Sequence, residues 1–303
     1  MDALVALRSA VRAKLEDFSA GDVILVAVSG GADSLALAEA AKLEGEKLAL
    51  KVIGVTVDHQ LQSGSDLQAE KVVKQLSIPC IVEKATVEIT DGLEASARRA
   101  RYSALDKCAA ENGAVAILLG HTKDDQAETV LLGLARGSGA RSLSGMASVN
   151  GIYLRPFLEI TRAQTVAACK ELKLEPWNDP HNDDETFLRV KARKNVLPMM
   201  ESELGPGIRD ALVRSAQLLR DDADALDALA KEYWQTDSSL EIAPLAALPR
   251  AIRTRVLRLA LFESGVTQLS AEQVAQVEAL ISNWKGQGEV SLPAGVKVSR
   301  ISG

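Results

Sequence analysis

Residues 26–37 read VAVSGGADSLAL, two apolar segments joined by the small residues Ser29-Gly30-Gly31-Ala32-Asp33-Ser34. Small residues between hydrophobic segments mark a turn that a partner approaches closely, because glycine leaves the backbone bare. The first segment, VILVAV (23–28), is one of five short runs rich in Val, Ile and Leu. The others are LKVIGVTV (50–57), PCIVEK (79–84), VAILLG (115–120) and IYLRP (152–156). Their near-continuous hydrophobicity predicts strands covered on both faces. Helical patterns around 34–46, 66–76, 92–112 and 124–136 separate them. This alternation predicts an α/β fold, a doubly wound parallel five-stranded sheet with right-handed crossovers. Such sheets take ligands beyond the carboxyl ends of their strands, where the strand order reverses.

The pattern changes after about residue 160, with helices expected at 161–173 and 189–203 around the loop EPWNDPHNDDE (175–185). Leu204-Gly205-Pro206-Gly207 interrupts the chain, and a long amphipathic helix follows at about 207–235. In EVSLPAGVKVSRI (289–301), Pro293-Ala294-Gly295 separates two alternating runs, a hairpin signal. The expected division is a first domain over 1–205, a helical linker over 206–236 and a small second α+β domain over 237–303.

A chain of 303 residues, 47% hydrophobic and 25% charged, suits a soluble protein of two domains. No apolar run approaches the roughly 18 residues of a membrane helix, and the first twenty residues lack the pattern of an export signal. The expectation is a cytoplasmic protein with no membrane partner. Cys80, Cys108 and Cys169 form no CxxC and read as buried structural thiols. His59, His121 and His181 are too scattered for a zinc site.

The net charge of −6 argues against a general nucleic-acid binder, but it hides two basic runs. TFLRVKARK carries Arg189, Lys191, Arg193 and Lys194, and PRAIRTRVLR carries Arg250, Arg253, Arg255 and Arg258, neither with an acid. Solvated helix faces or contacts to RNA phosphates explain such runs.

Three phosphate loops compete for residues 29–34. A Walker loop is excluded because no Gly-Lys-Ser or Gly-Lys-Thr occurs, and the dinucleotide GxGxxG is absent after the strand. GLARGSGARSLSG (133–145) contains GxG but follows a helix. What remains is strand–SGGxDS–helix. Two glycines let several N–H groups face one anion, Ser29 and Ser34 add hydroxyls, and the helix directs its positive end there. An acid beside a phosphate makes sense where magnesium bridges the two, which assigns that role to Asp33.

The second constellation is GHTKDDQAETVLLGLARGSG (120–139). Asp124 and Asp125 fall in a first helical turn, where carboxylates cap N–H groups; for Asp124 that reading suffices. Asp125 and Glu128 share one helix face. Two carboxylates near a phosphate site need a cation between them, magnesium or a substrate ammonium.

SGGADS resembles the PP-loop of the N-type ATP pyrophosphatases, which cleave ATP between its α and β phosphates. GHTxDDQAET…RGSG closely resembles the signature of the tRNA(Ile)-lysidine synthetases. Asp58-His59, EASARRARYSAL (94–105), RPFLEITR (155–162) and WNDPHNDDETFLRVKARKNVLP (177–198) extend the likeness over roughly 20–205. Val190 departs from it, standing where many members have Asn, and the C-terminal part carries only a loose likeness.

The resemblance implies ATP and magnesium, with a CAU-anticodon isoleucine tRNA and free lysine as partners, and allows a homodimer. It implies that Ser29, Gly30, Gly31, Ala32, Asp33 and Ser34, with Asp58 and His121, bind the nucleotide. Asp33 and Asp125 are the magnesium candidates, and Arg101 and Arg193 the candidates to face the α-phosphate. Asp125 and Glu128 would hold and deprotonate the lysine amine. The two basic runs, and with them the second domain, would contact tRNA. Trp177 reads as core rather than as a stacking platform, and Asn178, Asp179 and Asn182 as turn residues.

Rival readings are a PP-loop tRNA thiolase, which commonly uses paired cysteines absent here, and an amidotransferase, which needs a glutaminase absent here. A non-catalytic nucleotide-binding regulator would not need Asp33, Asp125 and Glu128 together.

Overall fold

The computed structural model describes residues 3–60, 65–90, 92–178, 183–236 and 240–301; Asp179, His181 and Asn182 lie outside them. The chain divides into two compact units, Met1–Ala216 and Gln217–Gly303.

The first unit begins with α1 (Ala3–Leu15), β1 (Val23–Ala27), α2 (Ala32–Lys47), β2 (Lys51–Asp58) and α3 (Ser65–Gln75). It continues with β3 (Cys80–Lys84), α4 (Leu93–Asn112), β4 (Ala114–Leu118) and α5 (Lys123–Ala135). A short α6 (Ala140–Leu143), β5 (Val149–Asn150), β6 (Tyr153–Leu154) and α7 (Arg162–Glu171) follow. The strand order is β3-β2-β1-β4-β6-β5, parallel as far as β6. The expected five strands are therefore present, and the order reverses between β1 and β4, with the SGGADS loop following the carboxyl end of β1. A sixth strand corrects the expectation. Val149–Asn150 turns back antiparallel on β6 through Gly151, whose φ of +57° suits glycine. Two residues are too few to show a period in the sequence.

Both faces of the sheet are covered, as continuous apolar strands require. On one face, Leu7, Val11 and Leu15 of α1, Leu35 and Leu37 of α2, and Ala168 and Cys169 of α7 pack with Ile24 and Val26. On the other, Leu105, Cys108 and Ala109 of α4 pack with Leu25, Val55 and Ile117. Because α2 lies between the sheet and two further helices, alanine fills its buried positions 36, 38, 40 and 41. The three cysteines are free thiols, two of them fully buried.

The expected helix at 189–203 runs as α8 (Leu188–Lys191), a π-type stretch (Ala192–Val196) and α9 (Leu197–Leu204) without a break. The π stretch carries Arg193 and Lys194; such widened turns recur at functional sites. The long amphipathic helix is α10 (Ile208–Thr236), and the boundary between the two units falls within it.

The second unit contains α11 (Ile242–Ala247), α12 (Arg250–Glu263), α13 (Ala271–Ser282) and an antiparallel hairpin of β7 (Val290–Ser291) and β8 (Lys297–Val298). The hairpin lies where Pro293-Ala294-Gly295 signalled it. Its core joins Leu257, Leu261, Val266, Val277 and Leu292.

Two arginines of α12 do not have the role expected of the basic run. Arg253 is buried, donating from Nε (2.9 Å) and Nη2 to Oε1 of Glu278, and from Nη1 to the carbonyls of Ala246 and Leu248. Arg255 pairs with Asp227 at 2.6 Å and donates to Ala251 O. Their guanidiniums are engaged within the unit, that of Arg253 by Glu278 and two carbonyls and that of Arg255 by Asp227 and Ala251, so both arginines brace it. Arg250 and Arg258 are exposed.

Candidate active site

The loop after β1 is built as its composition demands. Gly30 has φ +88°, and a Cβ there would lie 2.6 Å from Val72 Cγ2, so only glycine fits. The Ser34 hydroxyl donates to Gly31 O at 2.9 Å and accepts from Ser29 N at 3.1 Å. It therefore braces the loop from within, with Ser29 Oγ 3.2 Å away at the exposed rim. Gly31 is the N-cap of α2 and supplies no side-chain cap, whereas α5 and α7 start with complete capping boxes at Thr122 and Thr161. The amides at the start of α2, including those of Ala32 and Asp33, are thus left without a side-chain acceptor, as an anion site requires. Gly120, at the end of the neighbouring strand, lets the two loops touch. A Cβ there would come 3.2 Å from the backbone of Asp33.

This contact brings the two predicted constellations together. Asp33 accepts from Thr165 Oγ1 on one oxygen and from Arg162 Nε at 3.3 Å on the other. Asp125 accepts from Thr122 N (2.8 Å) and Oγ1 (2.9 Å) on Oδ2, and from Arg162 Nη2 (2.9 Å) on Oδ1. Glu128 is 1% exposed and lies 3.9 Å from Arg162 Nη1 and 3.4 Å from Arg189 Nε. Neither of its oxygens has a hydrogen-bond partner. Asp124 accepts from the backbone N of Arg162 at 2.8 Å, and Lys123 N donates to Ile160 O, so the starts of α5 and α7 are laced together.

The electrostatics follow from these contacts. Burial, then the charge of Asp125, pushes the Glu128 carboxyl up to about 7, against Arg162, Arg189 and Arg193. Burial also raises Asp33 above the carboxylate range, against Arg162 and the Thr165 hydroxyl. For Asp125, burial opposes ionisation, but Arg162 and the Thr122 amide outweigh it and the net shift is downward. His121 is pushed down to about 3, by burial first and then by the charges of Arg155, Arg101 and Arg98, so it is neutral. Arg101 lies among these cations, lowered by burial, Arg98 and Arg189. No carboxylate pairs with it among the described residues. The Nδ1 atoms of His59 and His121, Arg155 Nε and Arg189 Nε are buried without hydrogen-bond partners, as are both Glu128 oxygens. A concentration of unsatisfied groups marks a place where a polar ligand completes the bonding.

The placements divide the predicted residues. Asp33, Asp125 and Glu128 meet around Arg162, Arg189 and Arg193 act on Glu128, and Arg101 and His121 lie alongside. Asp58, buried at the end of β2, accepts from Gln60 N at 2.9 Å and holds the turn. Arg189 donates to Thr129 Oγ1 at 2.8 Å and faces Glu128, so it turns inward rather than outward to RNA. Lys194 is exposed and pairs with Asp183 at 2.6 Å; Lys191 is exposed. Trp177 is only half-buried beside the loop, its backbone N–H donating to Gly30 O at 2.9 Å, so it is not a core residue as expected. Arg162 is the residue that sequence reasoning missed. It ends the block RPFLEITR, which was the available signal.

Two carboxylates from adjoining helices fit magnesium, which takes one or two protein oxygens and completes its shell with phosphate and water. Among the described residues no three His, Cys, Asp or Glu side chains could hold a metal. A separate cleft beside β3, lined by Glu83, Lys84, Thr86, Ser103 and Lys107, contains none of the candidate residues.

An uncapped glycine loop stands at the switch point of the parallel sheet, and residues 6–200 match the family model described as a PP-loop domain, so this is a PP-loop protein. Residues 240–301 match a second model, described as the TilS substrate binding domain. The chain is 51% identical over 294 residues to a tRNA(Ile)-lysidine synthase of Streptomyces coelicolor, covering 93% of this chain and 84% of that one. It is 49% identical over 307 residues to that of Thermobifida fusca, covering 98% and 95%. The chain belongs to the tRNA(Ile)-lysidine synthase family, a family of ligases. The U34-tRNA thiolase NcsA from Methanococcus maripaludis shares the fold, with a TM-score of 0.59 at 18% identity over 72% of this chain and 80% of that one. No helix among the described residues is long and apolar enough to cross a membrane.

Proposed function

We propose that the chain ligates lysine to ring carbon 2 of the wobble cytidine in an isoleucine tRNA with a CAU anticodon. In the first step the oxygen on that carbon attacks the α-phosphorus of ATP, and pyrophosphate leaves. In the second, the ε-nitrogen of lysine attacks the same carbon, and the oxygen departs with AMP. The carrying observation is the meeting of the uncapped loop with Asp125 and Glu128 across Gly120.

The loop amides and the start of α2 receive the phosphates that leave as pyrophosphate. Arg101, a cation without a carboxylate partner, and Arg193 face the charge that builds on the α-phosphoryl group. Asp33 and Asp125 would hold magnesium, which would neutralise charge on the phosphates. Lysine arrives as an ammonium ion and must lose a proton before attack. Glu128, with two unbonded oxygens and a carboxyl at about 7, is matched to accept it. Neutral His121, with its buried Nδ1 unpartnered, is free to bond the target base. The exposed Lys191, Lys194, Arg250 and Arg258 are the remaining phosphate contacts. We place the reaction in the cytoplasm, where ATP, lysine and tRNA occur together.

The test is to mix the protein with ATP, magnesium, lysine and the CAU-anticodon tRNA, digest the tRNA, and look for lysidine by mass. Lysidine is expected. AMP and pyrophosphate without it would assign another adenylating activity, and no ATP turnover would leave only a binding protein.

A further inference from the structure

Arg162 presents three nitrogens to three carboxylates. Nε faces Asp33 Oδ2 (3.3 Å), Nη2 faces Asp125 Oδ1 (2.9 Å) and Nη1 faces Glu128 Oε1 (3.9 Å). The other oxygens of the two aspartates are already committed. Asp33 Oδ1 is held by Thr165 of the same helix as Arg162, and Asp125 Oδ2 by the cap of its own helix at Thr122. The aspartate oxygens available to a metal ion are therefore those that Arg162 now holds. Glu128 is the independent sign that the arrangement is incomplete: it is 1% exposed, faces the guanidinium, and neither oxygen is hydrogen-bonded.

We propose that Arg162 is a positioning residue that holds the place of the divalent cation, keeping Asp33 and Asp125 facing one another until the cation takes over their inward oxygens. Without a positive charge between them the two carboxylates, still anchored by Thr165 and Thr122, would repel, and a metal ion would be the remaining charge able to relieve them. Arg162 can do this because its backbone is fixed. Its N–H is tied to Asp124, and the Thr161 capping box orients the helix it begins. Two of its three carboxylate contacts are long, so the guanidinium can yield while the helix stays in place. Of the other charges, Asp124 faces Arg209 at 3.8 Å, and Arg189 and Arg193 from the 188–204 helix act on Glu128. This inference rests on the reading of the site as one that takes a divalent cation with ATP.

The test uses manganese alone, with the full chain and neither nucleotide nor tRNA, following free ion by electron paramagnetic resonance. Arg162→Gln removes the competing charge and keeps a polar side chain; it is expected to bind manganese about tenfold more tightly than the wild type. Arg162→Lys, which keeps the charge, is expected to stay near the wild type. Adding Asp33→Asn to Arg162→Gln is expected to abolish the gain. A folded Arg162→Gln that binds no more tightly, or a gain that survives Asp33→Asn, overturns the proposal. A second measurement does not depend on Arg162→Gln folding. In the wild type, the Arg162 Nε–H resonance, assigned by its loss in Arg162→Lys, is expected to shift on magnesium titration. A resonance unmoved at saturating magnesium also overturns the proposal. Neither measurement involves turnover, so a failed lysidine assay would sink the functional reading while leaving this result to stand or fall separately.

Discussion

Glu44 and Glu128 are both inside the first unit, 0% and 1% exposed, and each faces arginines, yet they are opposite in character. Glu44 accepts from Arg8 Nε at 2.6 Å and Arg12 Nε at 2.7 Å, with Lys47 at 3.5 Å. Burial works against its ionisation, but the bonds from Arg12 and Arg8 prevail and hold its carboxyl down to about 2. Glu128 has cations at 3.4 and 3.9 Å and no hydrogen bond, and burial pushes it to about 7. Burial is therefore not what distinguishes them. Hydrogen bonds to the charged form turn one acid into a brace between α1 and α2, and their absence leaves the other able to exchange a proton. Arg253 and Glu278 in the second unit belong with Glu44, fully bonded and structural.

The largest expected effect tests the proton-exchanging side. Glu128→Gln should lower lysine transfer to preformed adenylated tRNA by about 10²–10⁴-fold, with pyrophosphate release from ATP reduced far less. In the wild type, transfer should rise with pH up to about 7, where Glu128 loses its proton. Equal loss of both steps in single-turnover measurements would move Glu128 out of the proton-accepting role.

Next comes the bonded side. Arg253→Ala strands Glu278 in the second unit and should cost about 3–5 kcal/mol, read as a lower urea midpoint. A variant with weakened tRNA binding but unchanged stability would reverse this assignment.

The smallest effect is the sharpest comparison, because the two glutamates should respond with opposite signs. Glu44 has a depressed carboxyl, so its stabilisation is present above about pH 4.5 and lost as pH falls toward 2. Glu44→Gln should lose roughly 1–2 kcal/mol at pH 7, discounted because its arginine partners are partly in solvent. Glu128 has a raised carboxyl, so its contribution is present below about pH 4.5 and lost as pH rises to 7. Glu128→Gln should therefore be more stable than the wild type at pH 8, by about 1–3 kcal/mol. Thermal melts at pH 3, pH 5 and pH 8 check both signs.

Much of this molecule was legible from sequence because the signals were local. Strand hydrophobicity, the SGGxDS loop, the shared face of Asp125 and Glu128, and the hairpin at Pro293-Ala294-Gly295 depend on neighbours a few positions apart. Those periods follow from backbone geometry alone. The two-residue strand Val149–Asn150 escaped because it is too short to carry a period.

Tertiary structure decided which charges meet. Arg162 is 129 positions from Asp33 and 37 from Asp125, and only the packing of α7 against α2 and α5 gathers the three. In the sequence, the arginines of TFLRVKARK and PRAIRTRVLR looked alike. In the structure Arg189 turns toward Glu128, Arg253 closes on Glu278, and Arg250 and Arg258 stay exposed. A side chain's type sets what it can bond. Its direction and its partner come from the packing of distant elements, and so does the difference between a brace and a reacting group.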